Sequence, residues 1–128
     1  MRNHARVVLG AVVALAVLTG CDASSPKPSK TAGGTLEELA ARADCRPVLS
    51  TDSAELRRAN CTTADGRYVL ATFATDRGQR EWINEAKDYG GAYLVGRKWV
   101  AVGEQSVVTA LRGRLGGSVE TGTMHSGH

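Results

Sequence analysis

The sequence predicts an α+β domain: a mostly antiparallel sheet of about four to five strands with three helices packed on it, in the order α-β-β-β-α-β-β-α. Three observations carry this. Two helical stretches open on capping signatures, Thr35-Leu36-Glu37-Glu38 and Asp76-Arg77-Gly78-Gln79. Two turn pairs, Asp65-Gly66 and Gly96-Arg97, each stand between runs rich in β-branched and aromatic residues. Gly90-Gly91 and Gly116-Gly117 then close the two later helical stretches, where glycine readily takes the left-handed backbone that ends a helix.

In chain order, Leu36, Leu39, Ala40 and Ala43 share one helical stripe, so the first helix runs from the capping box to about Ala43. Arg46 to Ser50 reads as a strand. Residues 52–60, DSAELRRAN, fit either a helical turn or the approach to a strand, and the pattern leaves both open. Asn60 to Thr63 and Arg67 to Ala74 flank Asp65-Gly66 as the arms of a hairpin. The second helix buries Trp82, Ile83, Ala86 and Tyr89. Ala92 to Val95 and Lys98 to Val102 form a second hairpin around a Gly96-Arg97 turn, which sets Leu94 opposite Trp99 and Tyr93 opposite Val100. Glu104 to Leu115 carries Val107 or Val108, Leu111 and Leu115 at helical spacing.

This core spans residues 35–117, only 83 residues, near the size at which a hydrophobic interior alone gives slender stability. A covalent staple between Cys45 and Cys61 would help; 15 residues separate them, and with Cys21 set aside they are the only thiols left. Such a bridge contributes about 3 kcal/mol in the chain-entropy model. It also requires an oxidising compartment, and the N-terminus supplies the argument for one.

Residues 1–20 carry Arg2 and Arg6, then an uncharged apolar run from Val7 to Leu18. Those 12 residues span only about 18 Å as a helix against a hydrocarbon core of about 30 Å, so the run reads as a cleaved export signal, not a permanent span. The string Leu18-Thr19-Gly20-Cys21 resembles the lipobox of bacterial lipoproteins, and the Ala-, Arg-, Gly- and Val-rich composition is similar to that of small lipoproteins of high-GC Gram-positive bacteria. The resemblance implies diacylglycerol on the Cys21 sulfur and residence on the outer, extracytoplasmic face of the cell membrane. Acyl chains each contribute about 0.8 kcal/mol per buried CH₂, so more than one makes a durable anchor. Residues 22–34, DASSPKPSKTAGG, hold no large apolar side chain and are expected to be a disordered tether of up to about 40 Å. Ser24-Ser25-Pro26-Lys27 matches the S-x-x-K pattern of penicillin-binding enzymes, but it stands in a linker and not at the start of a packed helix, and is a chance match.

The sequence argues against an enzyme. All three histidines, His4, His125 and His128, lie in the signal or the tail, which removes the commonest general base from the core. Glu81, Glu85 and Asp88 fall on one side of the second helix, but Arg77, Arg80 and Lys87 are interleaved with them as on a solvated face. No cofactor fingerprint is present. Removing Arg2 and Arg6 from the 16 basic residues leaves 14 against 13 acidic, a formal net of +1, too weak a field for a nucleic-acid binder. Envelope proteins, anionic wall polymers and lipid headgroups are the partners left.

Both faces of the second hairpin are apolar, so Tyr93, Val100 and Val102 are candidates for an open docking strip if helices cover only the other side. Residues 118–128, SVETGTMHSGH, lack periodicity and are expected to be disordered. Met124, His125 and His128 in that tail are soft and imidazole ligands suited to copper or zinc, a rival function by metal capture. The expectation is thus a lipid-anchored, extracytoplasmic, non-enzymatic binding module.

Overall fold

The computed structural model describes residues 31–123. The signal, Cys21, the tether to residue 30 and the Met124/His125/His128 tail lie outside the described residues.

The first helix, α1 (Leu36–Arg42), starts where the sequence places it. Thr35 Oγ1 accepts from the Glu38 backbone N–H at 3.1 Å while Glu38 Oε1 accepts from the Thr35 N–H at 2.9 Å, the reciprocal pair of a capping box. Three strands follow: β1 (Val48–Asp52), β2 (Leu56–Thr63) and β3 (Gly66–Phe73). The ambiguous stretch 52–60 divides between the end of β1, a tight turn in which Ser53 N–H donates to Leu56 O, and β2. No helix forms there, because from Leu56 onward the side chains alternate between the two faces of a sheet.

The second helix, α2 (Asp76–Ala86), is capped by Thr75, whose Oγ1 accepts from Gly78 N–H at 3.0 Å. The cap thus lies one residue before the predicted signature, and Gln79 is freed for another task. A 3₁₀ turn, Lys87–Tyr89, follows; Tyr89 is 90% exposed and leaves the buried stripe that the helical spacing assigns it. Then come β4 (Ala92–Val95), β5 (Trp99–Gly103), α3 (Gln105–Leu115) and β6 (Ser118–Thr121).

All six strands join one antiparallel sheet in the order β1-β2-β3-β5-β4-β6. The sixth strand corrects the expectation of a disordered segment after residue 117. Gly116 and Gly117, at φ of 72° and 96°, turn the chain back along β4, where Val119 pairs with Leu94 and packs against the core. Four residues with a single apolar side chain are too short to show periodicity, but an unpaired β4 edge supplies their hydrogen bonds.

Helices lie on both faces of the sheet. On the first face α1 and α3 cover Ala59, Cys61, Tyr68, Leu70, Leu94, Trp99 and Ala101. On the second, α2 alone covers Ala71, Phe73, Tyr93 and Val100 through Ile83. The Cys45–Cys61 disulfide forms on the first face, its Cα atoms 5.5 Å apart and both residues buried.

The β4–β5 hairpin differs from its predicted register by two residues: Leu94 pairs with Ala101 and Tyr93 with Val102. Arg97 and Lys98 form the turn, closed by Gly96 N–H to Trp99 O, and Lys98 takes the left-handed backbone at φ 60°. Gly96 is needed for a different reason: a Cβ there would sit 2.0 Å from Trp99 Cε2, so the indole packs directly under it. Because the shift is even, each side chain keeps its predicted face.

Order also begins earlier than residue 35. Ala32 is buried; its N–H donates to Leu115 O at 2.8 Å and its carbonyl accepts from the Trp99 indole N–H at 2.7 Å.

Candidate binding face

Tyr93 and Val100, two of the three residues expected to form an open strip, are covered: Tyr93 is 2% exposed and Val100 fully buried. The correction follows from α2, which lies across them, and from the Tyr93 hydroxyl, which shares its proton between the Ala86 and Gly90 carbonyls at the end of that helix. Burial accordingly pushes the Tyr93 phenol above its ordinary range. Val102 alone remains half-buried at the margin.

What the sequence misses lies beside it. One helix cannot span six strands, and α2 crosses only the β3-β5-β4-β6 side of its face. The rest of that face is open over β1, β2 and β3. Alternation along β2 puts Arg58, Asn60 and Thr62 there, and along β3 Arg67 and Val69. Two adjoining shallow hollows follow, of about 360 and 320 Å³, sharing Asn60, Val69 and Val102. Thr62 and Arg67 line the first; Ser50, Arg58 and Trp82 line the second. The register Arg67↔Thr62 and Asn60↔Val69 makes these neighbours across β2 and β3, although they are scattered in sequence.

Charge is distributed unevenly. Arg57, on the opposite face, is bidentate to Glu37 at 2.7 and 2.8 Å and also bonds Asp52; the guanidinium holds the Glu37 carboxyl at about 2. Arg114 bridges Asp44 and Asp65, and Arg77 pairs with Glu81. Arg80 of α2 and Lys87 of the 3₁₀ turn after it both bind Glu120 of β6, and Arg80 first, then Lys87, brings its carboxyl to about 2. Arg58 and Arg67 have no such acid: neither makes an ion pair or side-chain hydrogen bond among the described residues. Glu85 and Asp88, weighed as acid–base groups, are exposed; Glu85 lines a separate groove with Trp82, Ala86 and Tyr89. Among the described residues, no three His, Cys, Asp or Glu side chains gather as a metal site would need, and no helix is long and apolar enough to cross a membrane.

Two buried polar side chains complete the picture. Gln79 is buried and its amide donates to Gly96 O at 2.7 Å and Trp99 O at 2.9 Å, plugging the β4–β5 turn from the α2 side. Tyr68, on the α1/α3 face, has a buried hydroxyl with no hydrogen-bond partner, and burial pushes its phenol up to about 12. Neither borders the open hollows with its polar atoms, so both act on the fold.

No family model, curated protein or solved structure matches this chain. The function is therefore argued from the face itself.

Proposed function

We propose that this chain is a lipoprotein anchored through Cys21 to the extracytoplasmic face of the cell membrane, where it acts as a non-enzymatic binding module of the envelope. The observation that carries the reading is the open half-face over β1, β2 and β3. A sheet face this close to the core is ordinarily covered; here it is left as a shallow depression with an aliphatic floor, polar side chains and two guanidiniums without an acid. Guanidinium, amide, hydroxyl, indole and valine hold a ligand by contact and hydrogen bonding. The Cys45–Cys61 bond supports export, since such bonds persist outside the reducing cytoplasm.

Two measurements test this. Mass spectrometry of the protein from its native host is expected to find acyl chains on Cys21 and no signal peptide; an unmodified thiol with the leader attached overturns the anchoring. A photo-crosslinking residue at Thr62 is expected to capture an envelope component in intact cells, while one at Ser118, on the far edge strand, does not. Equal capture at both positions, or none at either, overturns the face.

A further inference from the structure

We infer that the ligand of the open face is an acidic glycan, a sugar chain bearing carboxylate or phosphate groups along its length. This rests on the face proposed above and adds its chemistry.

The anionic requirement comes from Arg58 and Arg67. Several arginines of the described residues, Arg42, Arg46, Arg97 and Arg112 among them, make no ion pair, but Arg58 and Arg67 alone of these line the hollows, and no carboxylate lines either hollow with them. Arg58 is half-buried at the second hollow and Arg67 exposed at the first. Glu85 of α2 lines the neighbouring groove and not these hollows.

The requirement for a chain comes from spacing. Arg58 and Thr62 are four residues apart on β2, and Arg67 pairs with Thr62 on β3. At about 3.3 Å per residue the two arginine backbones are roughly 13 Å apart along the strands. Arg67 lines only the first hollow and Arg58 only the second, so a ligand that engages both extends across the two hollows with more than one negative group.

The sugar character comes from what lies between. The side chains of Asn60 and Thr62 make no hydrogen bond among the described residues, and neither does the Trp82 indole N–H at the rim. Val69 and Val102, cross-strand neighbours on β3 and β5, line both hollows. Pyranose rings offer hydroxyls at their edges and C–H faces above and below, which match amide and hydroxyl groups beside a half-exposed indole. A protein partner is anchored by large side chains in deep pockets, and these hollows are shallow. A membrane surface is held by a dense basic cluster or inserted apolar side chains, and two arginines in separate shallow hollows are neither.

The test uses the full mature chain and defined probes: oligogalacturonate as an acidic glycan, a neutral glucan of equal length, polyglutamate, and phosphatidylglycerol vesicles. Binding of oligogalacturonate is expected to be at least about tenfold tighter than that of the neutral glucan, and to weaken with salt. Arg58→Ala and Arg67→Ala are each expected to weaken it about tenfold, Arg58→Lys less, and Trp82→Ala comparably, with unchanged circular dichroism showing that each variant is folded. Equal binding of acidic and neutral sugars, no effect of the arginine variants, or tighter binding of polyglutamate or vesicles overturns the inference. If Thr62 crosslinks an envelope component that carries no acidic sugar, the ligand class fails while the face stands; if Thr62 crosslinks nothing, the face fails too.

Discussion

The indole N–H of Trp99 donates to the carbonyl of Ala32 at 2.7 Å, across 67 residues of sequence, and Ala32 N–H donates in turn to Leu115 O. A segment without a single large side chain is thereby fastened into the core between the β5 strand and the end of α3. The domain begins at or before residue 32, three residues ahead of the capping box.

A chain starting at Thr35 is therefore expected to be less stable than one starting at Asp22, by about 1–3 kcal/mol, because the Trp99 and Leu115 groups lose their partners. Urea denaturation followed by tryptophan fluorescence measures the difference. Identical midpoints would show that the Ala32 bonds are replaced by water without cost.

The same fastening shows where the sequence is legible and where it is not. Thr35 with Glu38, and Asp65-Gly66 between alternating arms, are local signals: the groups that satisfy one another lie within a few residues, so composition and spacing reveal them. Ala32, Gln79 and Ser118–Thr121 are fixed by partners 17 to 83 residues away or by an edge of β4 that exists only once the sheet has formed. Gly96 is visible as a turn residue, but for the wrong reason, since its glycine is required by the Trp99 ring and the left-handed backbone falls to Lys98. The open face was equally hidden. Its residues are ordinary polar alternation along β2 and β3, and only the path of α2 decides that they remain uncovered.

Gln79 offers a second test. Its amide is the partner of the Gly96 carbonyl and also reaches Trp99 O, so Gln79→Leu keeps the volume but leaves the part-buried Gly96 carbonyl unpaired, while Trp99 O keeps its bond from Gly96 N–H. A loss of about 1–3 kcal/mol is expected in denaturant titration. Gln79→Glu faces a carboxylate against two carbonyl oxygens, which raises its pKa in the fold; that variant gains stability as pH falls from 7 toward 4, a window above the one in which Glu120 and Glu37 of the parent lose theirs.

Tyr68 makes a prediction of the opposite sign. Its hydroxyl is buried and unpaired, so Tyr68→Phe removes a polar group that folding strips of water without replacement. Thermal unfolding is expected to shift upward, by a stabilisation of about 1 kcal/mol. A loss of stability would mean that a bound water satisfies this hydroxyl.

The Cys45–Cys61 bond closes a loop with a sequence separation of 16. Replacing both residues by Ala is expected to cost about 3 kcal/mol, chiefly by freeing the unfolded chain. Because the bond ties the approach to β1 onto β2, hydrogen exchange should rise most in β1, which has no other strand neighbour.

Glu120 sets the acid limit of the far edge. Arg80 from α2 and Lys87 from the 3₁₀ turn reach across to its carboxylate, Arg80 through two hydrogen bonds of 3.0 and 3.2 Å, and hold its pKa at about 2 against an ordinary 4.5. A carboxyl depressed in the folded state contributes stability that is fully present above pH 4.5 and is lost as pH falls toward 2. Glu37 under Arg57 titrates through the same window on α1, so acid weakens two places at once. The two separate by variant and by location. Glu120→Gln is expected to cost on the order of 1 kcal/mol at pH 7, the scale of partly exposed ion pairs, and to flatten the stability profile between pH 4.5 and 2 only in part. The residual slope belongs to Glu37, and the double variant Glu37→Gln/Glu120→Gln flattens it further. Amide exchange in β6 should quicken in the parent as the pH drops, once corrected for the intrinsic rate, and should show no such step in Glu120→Gln. A step that persists there would assign the acid sensitivity of β6 to some other group, and β6 would then be held to the sheet by its pairing with β4 alone.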